Sequence, residues 1–368
     1  MKYWRGYLVA GIVALCTWAL GQFAAAHTQL VDMVYPYITR IIMDYLAVWS
    51  ADVAGCLWQT VLVFLIVLFL ASIVLMVVLR WNPVQWFGWV LAVVSLFSLL
   101  NTGLYGLNEH AGPISEDVRL ELREYSVGSL ERAANYYRDM ANQYAGQVSR
   151  NPDGSVKGGS FEALAQQAAD GFNTLAYDKT YPIFTGSTEP VKELGWSGLF
   201  NGTTGITVAL TGESAVNPNV PPVGIPYAIC HEMCHRMCVY SHTDADFGAF
   251  LACTANADPM YQYSGYLMAF RQCYNALKAI HTEVGRTALQ RVLSDTDQVV
   301  LNDMEDYNAF LGKDAEQVED ELCKMLVSWH MQEIARYDEE DEEVFDPMDE
   351  TDDRFQDILY PADPDEDA

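Results

Sequence analysis

Two histidines and a glutamate stand at a spacing that can hold and use a metal ion. His231, Glu232 and His235 form an HExxH motif, and residues four apart lie on one face of a helix. Both imidazoles can therefore bind one Zn²⁺, while the intervening carboxylate faces the open coordination position. The motif predicts a catalytic site in which Glu232 is the general base for a zinc-activated water. Two unrelated histidines on a helix surface are the alternative.

A catalytic zinc needs a third protein ligand. The segment after the motif offers two candidates, His242 and Asp244. His242 and Asp246 are four residues apart, so they share a face if a second helix begins here. We expect His242 to be the third ligand and Asp246 to accept a hydrogen bond from a ligand imidazole. Asp244 is the alternative ligand. The long metzincin motif is disfavoured, because Cys238 and Ser241 stand where it requires Gly and His.

The elements around the motif are a helix and a strand. Pro226 can open a helix at its first position, and the pattern predicts a helix over 227–240. Residues 205–210 read as a strand, which we expect to hold an extended substrate by strand addition. We expect a tyrosine or histidine from the later helices to stabilise the oxyanion. The candidates, among which the sequence does not choose, are Tyr263, Tyr266, His281 and His330.

The first third of the chain contains three apolar stretches long enough to cross a bilayer. They are residues 7–26, 57–79 and 84–107. The first stretch also resembles a secretory signal peptide, but its length favours a retained helix. Between the first two, residues 34–49 carry apolar side chains at helical spacing. This spacing predicts an amphipathic helix at the outer membrane surface, with a simple connecting helix as the alternative.

The basic residues near these stretches predict the orientation. Lys2 and Arg5 precede the first stretch, and Arg80 lies in the short turn before the third. The positive-inside rule assigns all three to the cytoplasm, although Arg40 would then lie outside. The body of the chain from about residue 108 is therefore expected outside the cytoplasm. The predicted location is the bacterial cell membrane, with a multi-pass anchor and an extracytoplasmic C-terminal domain.

Charge is distributed unevenly along the 368 residues, whose net charge is −28. Residues 1–104 hold four basic and three acidic side chains, whereas residues 338–368 hold sixteen acidic side chains and one arginine. A chain without a basic surface is not expected to bind nucleic acid. The fold class predicted is a membrane protein with three N-terminal transmembrane helices and a mainly α (α+β) zincin-like extracytoplasmic domain. The predicted divisions are 1–107 (membrane domain), 108–337 (metallopeptidase domain) and 338–368 (acidic, disordered tail).

Six of the eight cysteines follow the membrane region. Cys230, Cys234 and Cys238 form a stripe about 100° round the helix from the histidines. In an oxidising compartment they can link the helix to neighbouring segments by disulfides. Small buried side chains on its core side are the equal alternative, and a mixed Cys/His structural zinc site is a third.

Segments on both sides of the motif resemble an uncharacterised bacterial family of three-pass membrane proteins, a domain of unknown function. That family is similar to gluzincin-type zinc peptidases. It has Glu where His242 stands, followed further on by Ala and then Asn or Asp, as in Ala245 and Asp246 here. The resemblance implies a zincin-like fold, and His in place of Glu keeps a possible zinc ligand. The matching segments are 211–217, Pro226, His231-Glu232, His235, 245–247, 249–251 and 263–267.

Together these features predict a membrane-anchored zinc metallopeptidase that hydrolyses peptide bonds. Its expected cofactor is Zn²⁺, and its expected partners are the lipid bilayer and a peptide or protein substrate. The alternative is a zinc-stabilised membrane sensor or binding module on a peptidase-like fold, without turnover. Glu232 favours the enzyme, because a protein that only binds has no chemical need for that base. A structural subunit that uses its acidic tail for partners is a third hypothesis, and it leaves the motif unexplained.

Overall fold

The chain folds into thirteen α-helices and one small sheet within the part that is described. The computed structural model describes residues 2–344, and only the backbone of residues 2, 314 and 334–344. Short 3₁₀ and π segments connect the longer helices. The α-helices are α1 (Arg5–Ala26), α2 (Thr28–Ala51), α3 (Leu57–Val78), α4 (Pro83–Leu104), α5 (Ile114–Asp117), α6 (Val127–Ala145), α7 (Phe161–Asn173), α8 (Ile225–Arg236), α9 (His242–Ala255), α10 (Pro259–Ala279), α11 (Glu283–Ser294), α12 (Gln298–Leu311) and α13 (Asp320–Val344).

The three predicted apolar stretches are helices α1, α3 and α4, each long and apolar enough to cross a membrane. Asn82 caps α4 by accepting a hydrogen bond from the Gln85 amide, and Pro83 fills its first turn. Helices α1 and α4 approach closely at Gly6 and Gly88, where a Cβ on Gly6 would lie 2.5 Å from the Gly88 carbonyl carbon. Such close backbone contact is typical of packed membrane helices.

Helix α2 is amphipathic, as the sequence predicts. Its exposed side carries apolar side chains such as Tyr37, Ile41 and Trp49, while the polar side chains of Thr39 and Arg40 are buried against the rest of the chain. The Arg40 guanidinium donates to the carbonyl oxygens of Pro182 and Met237, which both belong to the chain after α4. Arg40 is therefore engaged in packing, which explains how a basic residue comes to lie between the first two spans.

A three-stranded sheet lies beside the motif helix. Strand β1 (Lys192–Glu193) pairs in parallel with β3 (Glu213–Val216), and β2 (Gly205–Val208) pairs antiparallel with β3. Among the described residues, the strand order β1-β3-β2 leaves one edge of β2 without a strand partner. The predicted strand at 205–210 is thus present, ending at Val208. Thr207 lies opposite Ser214 in the ladder, so their side chains share one face of the sheet.

The helix that carries the motif forms the centre of the main core. Every residue of α8 from Pro226 to Arg236 is buried, and α7, α9 and α10 pack around it. All eight cysteines are free thiols, and those of the motif helix are buried. Of the alternatives for Cys230, Cys234 and Cys238, the structure has small buried side chains rather than disulfides.

Helix α8 ends four residues earlier than the predicted 227–240. Cys238 adopts a left-handed backbone conformation with φ of 72°, and the Val239 amide donates to the Cys234 carbonyl oxygen across 3.1 Å. This is the hydrogen-bond pattern of a Schellman C-cap, in which glycine is the usual left-handed residue. Because a cysteine holds that position, the sequence carries no glycine signal for the end of the helix.

The boundary of the predicted acidic tail falls within a helix. Helix α13 continues to Val344, past residue 338, where the tail was expected to begin. The rest of that predicted segment, 345–368, lies outside the described residues.

The sheet is joined to the membrane helices through one buried carboxylate. Glu213 of β3 accepts the backbone amides of Leu57 and Trp58, each across 2.8 Å, in the first turn of α3. Its Oε1 also accepts from Lys192 Nζ at 2.8 Å, and three carbonyl oxygens at the end of α2 and in the loop before α3 lie within hydrogen-bond distance of the same ammonium. A carboxylate at a helix N-terminus satisfies otherwise unpaired amides and the helix dipole. Glu213 therefore fixes the sheet to the start of a candidate span.

Replacing Glu213 by Ala is expected to destabilise the protein by about 3 kcal/mol, because it removes the buried acceptor of two backbone amides and the countercharge of the partly buried Lys192 ammonium. The thermal unfolding midpoint of the full-length protein in detergent should fall by roughly 6–12 °C. Glu193→Ala on exposed β1 is the matched control and should change the midpoint little. Equal midpoints for the two variants would contradict this role for Glu213.

Candidate metal centre

The three histidines of the predicted site converge on one point. His231 and His235 project from α8, and the turn at Cys238 returns the chain so that α9 begins at His242. Ser241 caps α9 by accepting the Asp244 amide. His231 Nε2 lies 3.1 Å from His235 Nε2 and 3.3 Å from His242 Nδ1, and the last two atoms are 3.1 Å apart. Together the three side chains can hold a metal ion.

Hydrogen bonds on the far side of two rings set which nitrogens face the centre. His231 Nδ1 lies 2.8 Å from Asp246 Oδ1, and His235 Nδ1 lies 2.8 Å from the Val239 carbonyl oxygen. Both partners accept only, so in the neutral rings each Nδ1 carries the hydrogen and each Nε2 presents a lone pair. Two lone pairs at 3.1 Å repel each other unless a cation lies between them. The donor set therefore fits a metal ion.

The electrostatics of the cluster allow one positive charge. Burial works to lower the pKa of His231, but the Asp246 carboxylate outweighs it and raises that pKa to about 9. Burial and the charge on His231 lower the pKa of His235 to about 3, and the same two causes lower the pKa of His242. As titrating groups, the three rings together thus take up one extra proton, because a second protonated ring at this spacing is strongly disfavoured.

Glu232 is buried in α8 and oriented by strand β2. Its Oε2 accepts a hydrogen bond from Thr207 Oγ1 across 2.7 Å, and its backbone oxygen accepts from Ser214 Oγ across 2.9 Å. Burial raises the pKa of the Glu232 carboxyl, while the charge on His231 and the Thr207 hydroxyl partly offset that rise. At Gly205 a Cβ would lie 2.6 Å from Glu232 Oε1. Only glycine fits there without displacing the carboxylate.

A cleft beside the histidines contains two adjoining cavities, and Glu232 lines both. The first cavity has a volume of about 500 Å³ and includes Asp246, Arg271, Tyr307 and Glu319 in its lining. The second, which we call the span-side cavity, encloses about 390 Å³. Glu232, His242 and Gly205 line both cavities. The span-side cavity is lined by Tyr105, Gly205, Ile206, Thr207, Glu232, His235, Tyr240 and His242.

The structure separates the two residues considered as the third ligand. His242 lies with the other histidines, and Asp246 makes the hydrogen bond expected of it. Asp244 points to a different cavity, which Asp32, Asp117 and Tyr37 also line. Burial raises its pKa to about 6. Asp244 therefore stands apart from the three imidazoles.

The four candidates for stabilising an oxyanion lie away from the cleft. Tyr263 donates to Asp303, Tyr266 stacks on Tyr144, and His330 packs on Tyr136. His281 follows the end of α10. None of these residues is in the lining of either cavity beside Glu232.

Several residues of the cleft are not predicted by the sequence reasoning. Gly205 and Thr207 are two residues apart in β2, so they lie on the same face of the strand. This pattern would have placed both beside the motif if the strand had been predicted to pack against the motif helix. Tyr105 directly follows α4, and its hydroxyl donates to the Val239 carbonyl oxygen across 3.2 Å. No local signal in the sequence connects a residue after a membrane span with the motif.

The fold and the site define a class: a mostly helical protein with three candidate membrane helices, a small sheet and a centre of two buried histidines and one exposed histidine that is able to hold a metal ion. The chain belongs to the family described as "Protein of unknown function (DUF3810)", whose profile matches residues 31–328, about four fifths of the chain. No curated protein and no solved structure matches the chain.

The site predicts about one divalent metal ion per chain, and the ligand set can be tested by substitution. His242→Ala should lower the metal content of the purified full-length protein, because it removes one of three convergent nitrogens. Asp244→Ala is the control and should keep the metal. Elemental analysis by mass spectrometry measures both. Metal loss in Asp244→Ala with retention in His242→Ala would reverse the assignment.

Proposed function

We propose that this chain is a membrane-anchored zinc metallopeptidase. The observation that carries the proposal is the convergence of His231, His235 and His242 beside Glu232. Three nitrogens at about 2.0–2.1 Å from a tetrahedral zinc ion lie roughly 3.3 Å apart, and the three ring nitrogens here are 3.1–3.3 Å apart. When bound, the zinc ion supplies Lewis acidity, which makes a water nucleophilic near neutral pH.

Glu232 is the proposed general base. Its carboxylate lines both cavities of the cleft, so it reaches the space where a water and a peptide carbonyl would meet. In the described part of the chain, Oε2 is engaged by Thr207, whereas no hydrogen bond occupies Oε1. Burial raises the pKa of this carboxyl, which brings it closer to the working range of a general acid–base group. Glu232 would take the proton of the attacking water and return it to the leaving amine.

Thr207 positions that base. Its hydroxyl has a single proton, and three acceptors lie within reach: Glu232 Oε2 at 2.7 Å, Ser214 Oγ at 2.8 Å and the Glu232 carbonyl oxygen at 3.0 Å. Ser214 can donate to the same carbonyl oxygen. The arrangement that satisfies most acceptors has Ser214 on the carbonyl oxygen and Thr207 on the carboxylate. Thr207 thereby reserves Oε2 and leaves Oε1 to accept a proton.

The substrate would lie along β2. The unpaired edge of this strand borders the cleft through Gly205, Ile206 and Thr207, and an extended peptide can add to such an edge through main-chain hydrogen bonds. We propose a zincin-like domain placed outside the cytoplasm. Lys2, Arg5 and Arg80 support that orientation, and the engagement of Arg40 in packing removes the residue that opposed it.

The replacement of Glu232 by Gln tests the proposal directly. The variant should keep its zinc, because Glu232 is not a ligand, and should lose roughly 10²–10⁴-fold in peptide hydrolysis, because the proton acceptor is gone. Zinc content and cleavage of a mixed peptide library, followed by mass spectrometry, are the measurements. A wild-type protein that carries zinc and cleaves nothing, with Glu232→Gln retaining full activity in cells, would instead identify a zinc-stabilised sensor.

Thr207→Val should lower kcat by roughly 10–10²-fold, because a base displaced by about 1 Å loses its alignment. KM and zinc content should stay unchanged, since β2 is proposed to bind substrate through its main chain, which the substitution keeps, and the Thr207 side chain is not a proposed zinc ligand. Thr207→Ser keeps the hydroxyl and should restore most of kcat. If Val at position 207 retains full kcat, or if Ser is as poor as Val, Thr207 does not position the base.

A further inference from the structure

The ends of the candidate spans meet at the cleft. Three consecutive spans of one chain must alternate in direction, so the end of α1, the start of α3 and the end of α4 are expected on one side of the membrane. The clustering of Ala24 with Leu107 agrees with this for α1 and α4. Helix α2 joins the first two of these ends. The body of the chain leaves from the third, at Leu104. These ends therefore mark the bilayer surface that faces the body.

One wall of the span-side cavity is formed by the residue that follows a span. Tyr105 comes directly after α4 and lies in the cavity lining, with its ring 5.6 Å from that of Tyr240. Its hydroxyl donates to the Val239 carbonyl oxygen, which also bonds His235. One tyrosine side chain and two hydrogen bonds thus connect the last turn of α4 to a ligand imidazole. The metal centre lies close to the bilayer surface.

The opposite wall is also joined to a span. Ile206 of β2 packs against the cluster that includes Cys56 and Trp58, and Trp58 belongs to the first turn of α3. Glu213 fixes the neighbouring strand to the same turn. The substrate-binding edge of β2 is therefore held next to the membrane by α3, as the other wall is by α4.

Helix α2 indicates where the bilayer surface lies relative to the motif helix α8. Its exposed apolar side chains, including Tyr37, Ile41 and Trp49, suit the boundary between headgroups and acyl chains. From its buried side, Arg40 donates to the Met237 carbonyl oxygen and Thr39 to Cys238 Sγ, at the end of α8. The exposed apolar side of α2 thus faces away from the motif helix, whereas the buried side of α2 contacts the end of that helix.

We infer that the substrate is a polypeptide anchored in the same bilayer and cut in an extended segment close to the membrane surface. This inference rests on the proposed peptidase function. A folded soluble protein would meet the lipid before its chain reached β2, whereas an extended segment that leaves the bilayer enters the cleft from the side. At about 3.3 Å per residue, such a segment reaches the site within roughly ten residues of the hydrocarbon boundary. Anchoring also raises the effective substrate concentration to the millimolar range.

The test uses the full-length zinc-loaded protein in phosphatidylcholine vesicles with its body facing outward. The probe is a polypeptide with one apolar span of about 20 residues, followed by an unstructured stretch that contains all residue types. The same stretch without the span is the soluble probe, supplied at micromolar concentration. Cleavage of the anchored probe should be about 10²-fold faster, and the cuts should cluster near the membrane. Glu232→Gln should cleave neither probe.

A spacer variant separates anchoring from sequence. A rigid helical spacer of about 20 residues, inserted between the span and the stretch, lifts the stretch by roughly 30 Å. We expect the rate to fall to that of the soluble probe. Equal rates for anchored and soluble probes, or cuts unaffected by the spacer, would overturn the inference while leaving the peptidase intact. Zinc-loaded protein that cuts neither probe would overturn the proposed function, and this inference with it.

Discussion

The reversal of the chain after α8 is the constraint on which the metal centre depends. Two histidines on one helix face supply only part of a metal site, and the third ligand must return to them within a few residues. The left-handed conformation of Cys238 accomplishes this return, at a cost of roughly 1–2 kcal/mol for a residue with a Cβ. The same turn presents the Val239 carbonyl oxygen to His235, so it orients one ligand while delivering another.

The contacts that stabilise this turn come from the membrane region. Arg40 bonds the Met237 carbonyl oxygen, Thr39 bonds Cys238 Sγ, and Tyr105 bonds the Val239 carbonyl oxygen. A strained conformation persists only where its surroundings over-determine it. Residues between and directly after the candidate spans therefore form part of the structure that supports the site, and the domain is not simply tethered to those spans. Separating the body from residues 1–105 would remove all three contacts at once.

What the sequence predicts well is local, and what it misses depends on tertiary contacts. The i, i+4 spacings of His231, His235, His242 and Asp246 and the long apolar runs determine which residues share a face, and these expectations agree with the geometry. The predicted end of α8 is wrong because Cys238 adopts a left-handed conformation at a turn held by contacts from α2, which local sequence does not reveal. The oxyanion candidates Tyr263 and Tyr266 on α10 and His330 on α13 lie on helices, as expected, but face other partners. Helical periodicity does not reveal which packed face borders a cleft.

The sheet connects the candidate span α3 with Glu232, the proposed general base. A buried carboxylate with few partners would be held only by side-chain packing. Glu232 instead accepts hydrogen bonds from two neighbouring strands, from Thr207 to its carboxylate and from Ser214 to its backbone oxygen. Those strands are fixed by Glu213 to the first turn of α3. A shift of β3 relative to the membrane would therefore move Thr207 relative to Glu232 through the β2–β3 ladder. Helix α8 is buried on all sides and cannot adjust to such a shift. The attachment of the sheet to α3 therefore keeps the Glu232 carboxylate oriented.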